Sequence, residues 1–429
     1  MDLFLCGLLS SCLLVQTWGM PTQARYDDPL LSSLPDRTEN SAYQLHRLSQ
    51  SALDQTLGGL EGRLLGEVYQ PSCTLEILRV RRDWRALTPG ERRAYIDAIL
   101  CLQRLPPQTP AALAAGAKTR YDDFVATHIN QTWHIHRTVA RLMSVLLADE
   151  LIRFHKGTFL AWHRYFIYTF EEALKNECGY NEDLPYWNWG ADVDSMELSP
   201  LFDGSDTSLS GNGAFIPNQP NLEIPLGETS VPPLILPPGT GGGCVTSGPF
   251  VNYTVAMGPS FLYVPGAGVT RTSNPLDYNP RCMKRDLTTS ILRDNNNYTT
   301  IVQLIQNSPD IWAFETTAQG APGSGRLGVH GGGHLAMGGD PGRDADANPG
   351  DPGFWNHHAM IDRLWWIWQS LDLKNREFAI RGTGTFLNDP VSPNTTLDTH
   401  VNVGYVKRGS IAMREIMSTT AGPFCYVYL

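Results

Sequence analysis

Basic charge is scarce in this chain. Lys and Arg number 33 against 43 Asp and Glu, which leaves a net charge of −10, and charged residues make up 18% of the whole. Binding a phosphate backbone needs clustered Lys and Arg, so the balance argues against a nucleic-acid partner. Long hydrophobic runs are missing too. None in the body of the chain approaches the roughly 18 apolar residues of a membrane-spanning helix, so no membrane partner is expected. No self-similarity recurs at solenoid periods. What is present is 42% hydrophobic and 10% aromatic sequence over 429 residues. That suits a core-forming protein larger than the usual single domain, read as one large domain or one domain with arms.

The first residues, Leu3 to Leu9 and Leu13 to Val15, form a short apolar stretch with small residues at Gly19 and Ala24 behind it, so 1–24 reads as a signal peptide. Asp2 stands where a cation is usual. Removal of 1–24 takes Cys6 and Cys12 with it, leaving Cys73, Cys101, Cys178, Cys244, Cys282 and Cys425. An even set of cysteines in a secreted chain implies up to three disulfides, among fifteen connectivities that spacing does not distinguish. Asn130, Asn252, Asn297 and Asn394 each open an Asn-x-Thr sequon. The last three lie in turn-rich sequence suited to glycans.

Residues 25–70 are polar and interrupted, with a weakly helical part from Ser41 to Leu65, and read as an N-terminal arm or propeptide. The main domain spans 71–429. A helical pattern is expected from Cys73 to Trp84. Thr88-Pro89-Gly90-Glu91 then supplies an N-cap, a first-turn proline and a capping-box partner for a helix through Tyr95, Ile99 and Leu102. Further helices are expected around Tyr121 to His128 and from Tyr165 to Asn176. The region 192–288 reads as a long irregular surface segment that Cys244 and Cys282 can staple.

Histidines carry the chemistry. Asp351-Pro352-Gly353-Phe354-Trp355-Asn356-His357-His358 opens a segment of helical spacing, in which His358 and Asp362 share a face while Ile361, Leu364, Trp365 and Trp368 pack inward. Neutral imidazole is the commonest metal ligand, and an acid beside it can fix its tautomer. Upstream of this pair, His330 and His334 stand four apart around three glycines, a spacing that puts two imidazoles on one helix face. A second cluster holds His128, His134, His136, His155 and His163. Two sets of three imidazoles with no carboxylate or thiolate ligand evident suit a pair of copper ions, whereas zinc sites more often include Cys or carboxylate.

The 351–366 stretch resembles the second copper signature of the tyrosinase, catechol oxidase and haemocyanin family, and Phe159-Leu160-Ala161-Trp162-His163-Arg164 with Glu171 resembles the first. Tyr121 to Thr132 resembles the segment carrying that family's first ligand. The resemblance covers roughly Cys73 to the C-terminus. It implies a mainly α fold, a four-helix bundle holding a dinuclear copper site amid long irregular loops. His128 and His163 map to the first site and His330, His334 and His358 to the second. His357 is assigned a catalytic, orienting role beside His358.

The middle ligand of the first site departs from the pattern. The family places it four or five residues before the Phe of Phe-Leu-x-Trp-His, where this chain has Phe154 and Arg153. His155 is one residue too close, and His136 is too distant although correctly spaced after His128. Deleting 137–154 restores the pattern with His136. As a continuous helix the intervening piece would hold His136 and His155 about 28 Å apart, so both cannot serve one ion. Either His155 is the ligand and the piece loops out, or His136 is and the piece is a retained stretch such as an unspliced intron.

The expected activity is a secreted copper-dependent polyphenol oxidase. It takes a small phenolic substrate and O2 and converts o-diphenols to o-quinones, with o-aminophenols or monophenols as further substrates. Members of the family use a polar residue after the first histidine of the second site to deprotonate monophenols. Gly331 stands there and Leu335 follows the second, which favours catechol or o-aminophenol oxidation. The family's thioether cysteine is replaced by His134 or Arg153, depending on which histidine is the ligand. The sequence stops at Leu429, so the C-terminal shielding domain that some members carry is not expected. The rival readings are haemocyanin-like oxygen binding without turnover, and a copper-deficient inactive homologue caused by the insert.

Overall fold

The structure, a computed structural model, describes residues 36–66, 73–135, 157–224, 233–320, 326–384 and 391–429. Residues 1–24, expected to be a signal peptide, and the stretch holding His136 and His155 lie outside the described residues. Four helices meet at the centre: α3 (Arg120–Ile135), α4 (Phe159–Cys178), α8 (Gly328–Met337) and α9 (Gly353–Ser370). Around them lie α1 (Asp36–Gly66), α2 (Pro89–Leu102), α5 (Thr289–Asn295), α6 (Tyr298–Gln306) and α7 (Ile311–Gln319).

Local chemistry sets these boundaries. Helix α2 starts as expected: Thr88 accepts from the Glu91 amide, the Glu91 carboxylate accepts from the Thr88 amide, and Pro89 occupies the first turn. A reciprocal pair starts α3, since Thr119 Oγ1 accepts from the Asp122 amide and Asp122 Oδ2 from the Thr119 amide. Helix α4 begins at Phe159, six residues before the expected Tyr165, so His163 sits within it. It ends at Gly179, whose φ of 69° is open to glycine. All 18 residues of α9 are buried, because α1, α4, α6 and α8 all pack against it.

Helix α1 presents Ala42, Leu45, Ser49, Ala52, Thr56 and Leu60 to the core. Ser49 accepts from Arg363, and Thr56 bonds both Ser370 and the Trp366 indole N–H. The expected helix at 73–84 is instead a strand, Arg79–Arg81, followed by a 3-10 turn at Trp84–Ala86. The strand pairs in parallel with Tyr426–Tyr428, a partner some 350 residues away that no local pattern reveals. The described part of 192–288 also holds more regular structure than its composition suggests. Between Gly213 and Cys282 it forms four two-stranded ladders and sends Phe250, Met257 and Phe261 into the core. Disulfides join Cys73 to Cys425, Cys101 to Cys178 and Cys244 to Cys282. Among the described residues no helix is long and apolar enough to cross a membrane.

Candidate metal centre

Helix α8 carries His330 and His334 one turn apart, and their Nε2 atoms are 3.2 Å from each other. Helix α9 brings His358 to the same point, its Nε2 also 3.2 Å from that of His334. Imidazole nitrogens that share one ion at about 2 Å stand about 3 Å apart, so these three fit a metal ion. With His357 they form a buried group whose ligand atoms all lie within 4.8 Å of one another.

The glycines between the two α8 histidines differ in what they do. A Cβ at Gly332 would meet Asn296 Oδ1 at 2.2 Å, and one at Gly333 would meet the His357 ring at 2.2 Å. A Cβ at Gly331 would meet Leu327 no closer than 3.4 Å. Gly332 and Gly333 therefore let α8 wedge between α5 and α9, while a side chain at Gly331 would meet Leu327 at ordinary contact distance. His357 is fully buried, and its Nε2–H donates to the His330 carbonyl at 3.1 Å. Its Nδ1 has no hydrogen-bond partner, and its ring lies 5.2 Å from that of Trp189.

The upstream histidines come from α3 and α4. His128 Nδ1–H donates to the Asp346 carbonyl at 2.6 Å, and His163 Nδ1–H to the Phe159 carbonyl one turn back at 2.8 Å. Each is thereby held in the tautomer that leaves Nε2 as the donor atom. The two rings are 5.8 Å apart. His163 stacks on His358 at 4.4 Å and 15°, which brings the two sets together. His136 and His155 lie outside the described residues, as does the His134 side chain. His46 and His400 are exposed and away from the cluster.

Burial depresses the histidine pKa values, and in all but His128 the neighbouring imidazoles add to it. His128 falls to about 4 and His330, by burial and the proximity of His128, to about 3. His163, His334, His357 and His358 lie well below 6.5, again chiefly through burial. All are neutral at pH 7, the state that ligates metal.

The carboxylates near the cluster are engaged elsewhere. Asp362 shares a helix with His358, but it accepts from Arg164 Nε at 2.6 Å and from the Tyr426 and Tyr428 hydroxyls at 2.7 and 2.6 Å. Its expected place beside His358 is thus corrected: Arg164 and the C-terminal strand claim it. Asp351 is paired with Arg285. Two supports were not legible from motifs, the Asp346 backbone and the Asn348 amide, which lies 3.4 Å from His334 Nδ1. Only their position a few residues before Asp351 hints at them.

Four helices presenting an all-imidazole donor set define a type 3, dinuclear copper protein. The chain belongs to the tyrosinase family: residues 118–371 match the common central domain of tyrosinase. It is 38% identical over 365 residues to Tyrosinase P of Aspergillus terreus, covering 85% of this chain and 95% of that protein. It is 36% identical over 375 residues to an N-acetyl-6-hydroxytryptophan oxidase of Emericella nidulans, covering 83% and 93%. A polyphenol oxidase from Thermothelomyces thermophila, solved as a mutant, superposes with a TM-score of 0.80 at 38% identity, covering 90% of this chain and 98% of that one.

Proposed function

We propose that this copper oxidase converts o-diphenols, and o-aminophenols with them, to o-quinones or quinone imines, two substrate molecules being oxidised as one O2 is reduced to two waters. The observation that carries the reading is the convergence of three neutral Nε2 atoms from His330, His334 and His358 on one point, with His163 stacked across from His358. His330, His334 and His358 are assigned to one copper, and His128 and His163 to the other, together with either His136 or His155.

The bound pair of copper ions supplies the electron transfer between phenol and O2. The chain's own part is to hold the ligand rings and to exclude competing donors. Burial keeps the imidazoles unprotonated, and the carbonyls of Phe159 and Asp346 hold the Nδ1 protons of His163 and His128. His357, enclosed and bonded to the His330 carbonyl, is assigned to hold α8 against α9, refining the orienting role expected of it to one without substrate contact. Gly331 places no polar group beside the site, which favours substrates that arrive as diphenols. The likeness to the N-acetyl-6-hydroxytryptophan oxidase adds hydroxylated indoles to the substrates worth assaying.

The three disulfides support secretion, with 1–24 as the signal and 71–429 as the copper domain. Residues 25–70 are assigned as an arm whose helix α1 stays seated on α9. Oxygen uptake with catechol, 2-aminophenol and 4-methylphenol tests the activity. Uptake with the first two and little with the third is expected. Reversible O2 binding without consumption of any of them would favour the oxygen-carrier reading instead.

A further inference from the structure

The loop before α9 reaches both histidine sets. Asp344 pins it, its carboxylate accepting from the amides of Ser260, Phe261, Asp346 and Ala347 at 2.7 to 3.0 Å. Two residues on, the Asp346 carbonyl takes the His128 Nδ1 proton. Four residues on, the side chain of Asn348, buried at 2% exposure, faces His334. Its Nδ2 lies 3.4 Å from His334 Nδ1, while its Oδ1 is buried with no hydrogen-bond partner.

A metal ion shared by the Nε2 atoms of His330, His334 and His358 needs the His334 tautomer with Nε2 bare and the proton on Nδ1. The amide nitrogen cannot accept that proton, but the amide oxygen can, and it is the one polar atom of Asn348 left without a partner. Half a turn of the amide exchanges the two ends with almost no change of shape.

We propose that Asn348 is a positioning residue for His334. Its side-chain amide stands against Nδ1, and with copper bound its Oδ1 accepts from Nδ1–H and so fixes the tautomer that leaves Nε2 bare for the ion. With Asp346 on His128, the Asp344–Asn348 loop then fixes the tautomer of one ligand from each set. This rests on the copper assignment above and adds a residue to it.

The test is copper affinity by chelator competition, with copper per chain and the melting temperature of the copper-free protein read alongside. Asn348→Leu keeps the side chain's shape without an acceptor. It is expected to weaken one of the two coppers 10- to 100-fold, the usual effect of losing a hydrogen-bond partner of a ligating histidine, and to leave the other in place. Asn348→Asp, an acceptor only, is expected to restore affinity to about the native value. Should Asn348→Leu fail to fold, Asn348→Ala takes its place against the same Asp variant. Unchanged copper affinity in the apolar variant overturns the proposal, as does an Asp variant that loses as much affinity as Leu or Ala. A native protein that binds no copper overturns the copper assignment itself and the inference with it.

Discussion

His163 and His358, from helices of opposite histidine sets, stack at 4.4 Å with their planes 15° apart. The contact joins α4 to α9 at the centre of the molecule, and the rest of the structure holds those two helices at that separation. Arg164, next to His163, reaches Asp362, four residues beyond His358.

That second link predicts a large stability effect. Asp362 is the common acceptor for Arg164, Tyr426 and Tyr428, and the Arg81 guanidinium lies 3.7 Å from the Tyr426 ring centre. Asp362→Asn leaves two buried arginines with less counter-charge and is expected to cost about 3–5 kcal/mol. Tyr428→Phe removes one hydrogen bond to a charged group and is expected to cost about 1.5–3 kcal/mol. Urea denaturation of both variants checks the order; equal effects would show that the carboxylate charge is not what matters.

The three glycines of α8 should separate cleanly. Gly331→Ala meets Leu327 only at ordinary contact distance and removes a helix-interior glycine, so it is expected to be neutral or stabilising by up to about 1 kcal/mol. Gly333→Ala drives a methyl into the His357 ring and is expected to cost about 1–3 kcal/mol, with weakened copper binding because α8 moves. Thermal melts with copper analysis decide this, and a harmless Gly333→Ala would contradict the packing of His357.

Gly331→Asn places a polar side chain where none now stands. The expected result is a rise in monophenol oxidation relative to catechol oxidation, measured as the ratio of kcat/KM values. An unchanged ratio would remove Gly331 from the explanation of specificity.

Acid should destabilise the copper-free protein. A histidine whose folded pKa is depressed contributes stability above its unfolded value near 6.5 and loses it as pH falls toward the folded one. His128 and His330, at about 4 and about 3, each represent on the order of 3 to 5 kcal/mol between pH 6.5 and those values. Asp122 and Asp344, pushed up to about 6 by burial, act in the opposite sense between about pH 6 and 4. Burial also raises Asp83, Asp192 and Glu315, and the six depressed histidines are expected to outweigh these five carboxyls. The urea midpoint is expected to fall from pH 7 to 4.5, and a flat profile would show that the cluster is not buried.

The helices of the site were legible because their signals are local. The Thr88–Glu91 box, the four-residue step from His330 to His334 and the apolar spacing after His358 each need only a turn or two of sequence. The strand at Arg79 was not legible, since its partner Tyr426 is distant and a three-residue strand has too few residues to show alternation. Asp362 was placed beside His358 by helical spacing, which reports a shared face and not which neighbour wins the carboxylate; Arg164 does. The supports from Asp346 and Asn348 escaped for a related reason: a backbone carbonyl and a loop amide carry no motif.

The most direct measurement is copper per chain, made on the protein as written and on a version lacking 137–154. Two copper ions per chain are expected in at least one of them. If the full chain holds both, His155 is the middle ligand of the first site; if only the shortened chain does, the role falls to His136. Absence of copper from both would contradict the assignment of a dinuclear copper site to these histidines.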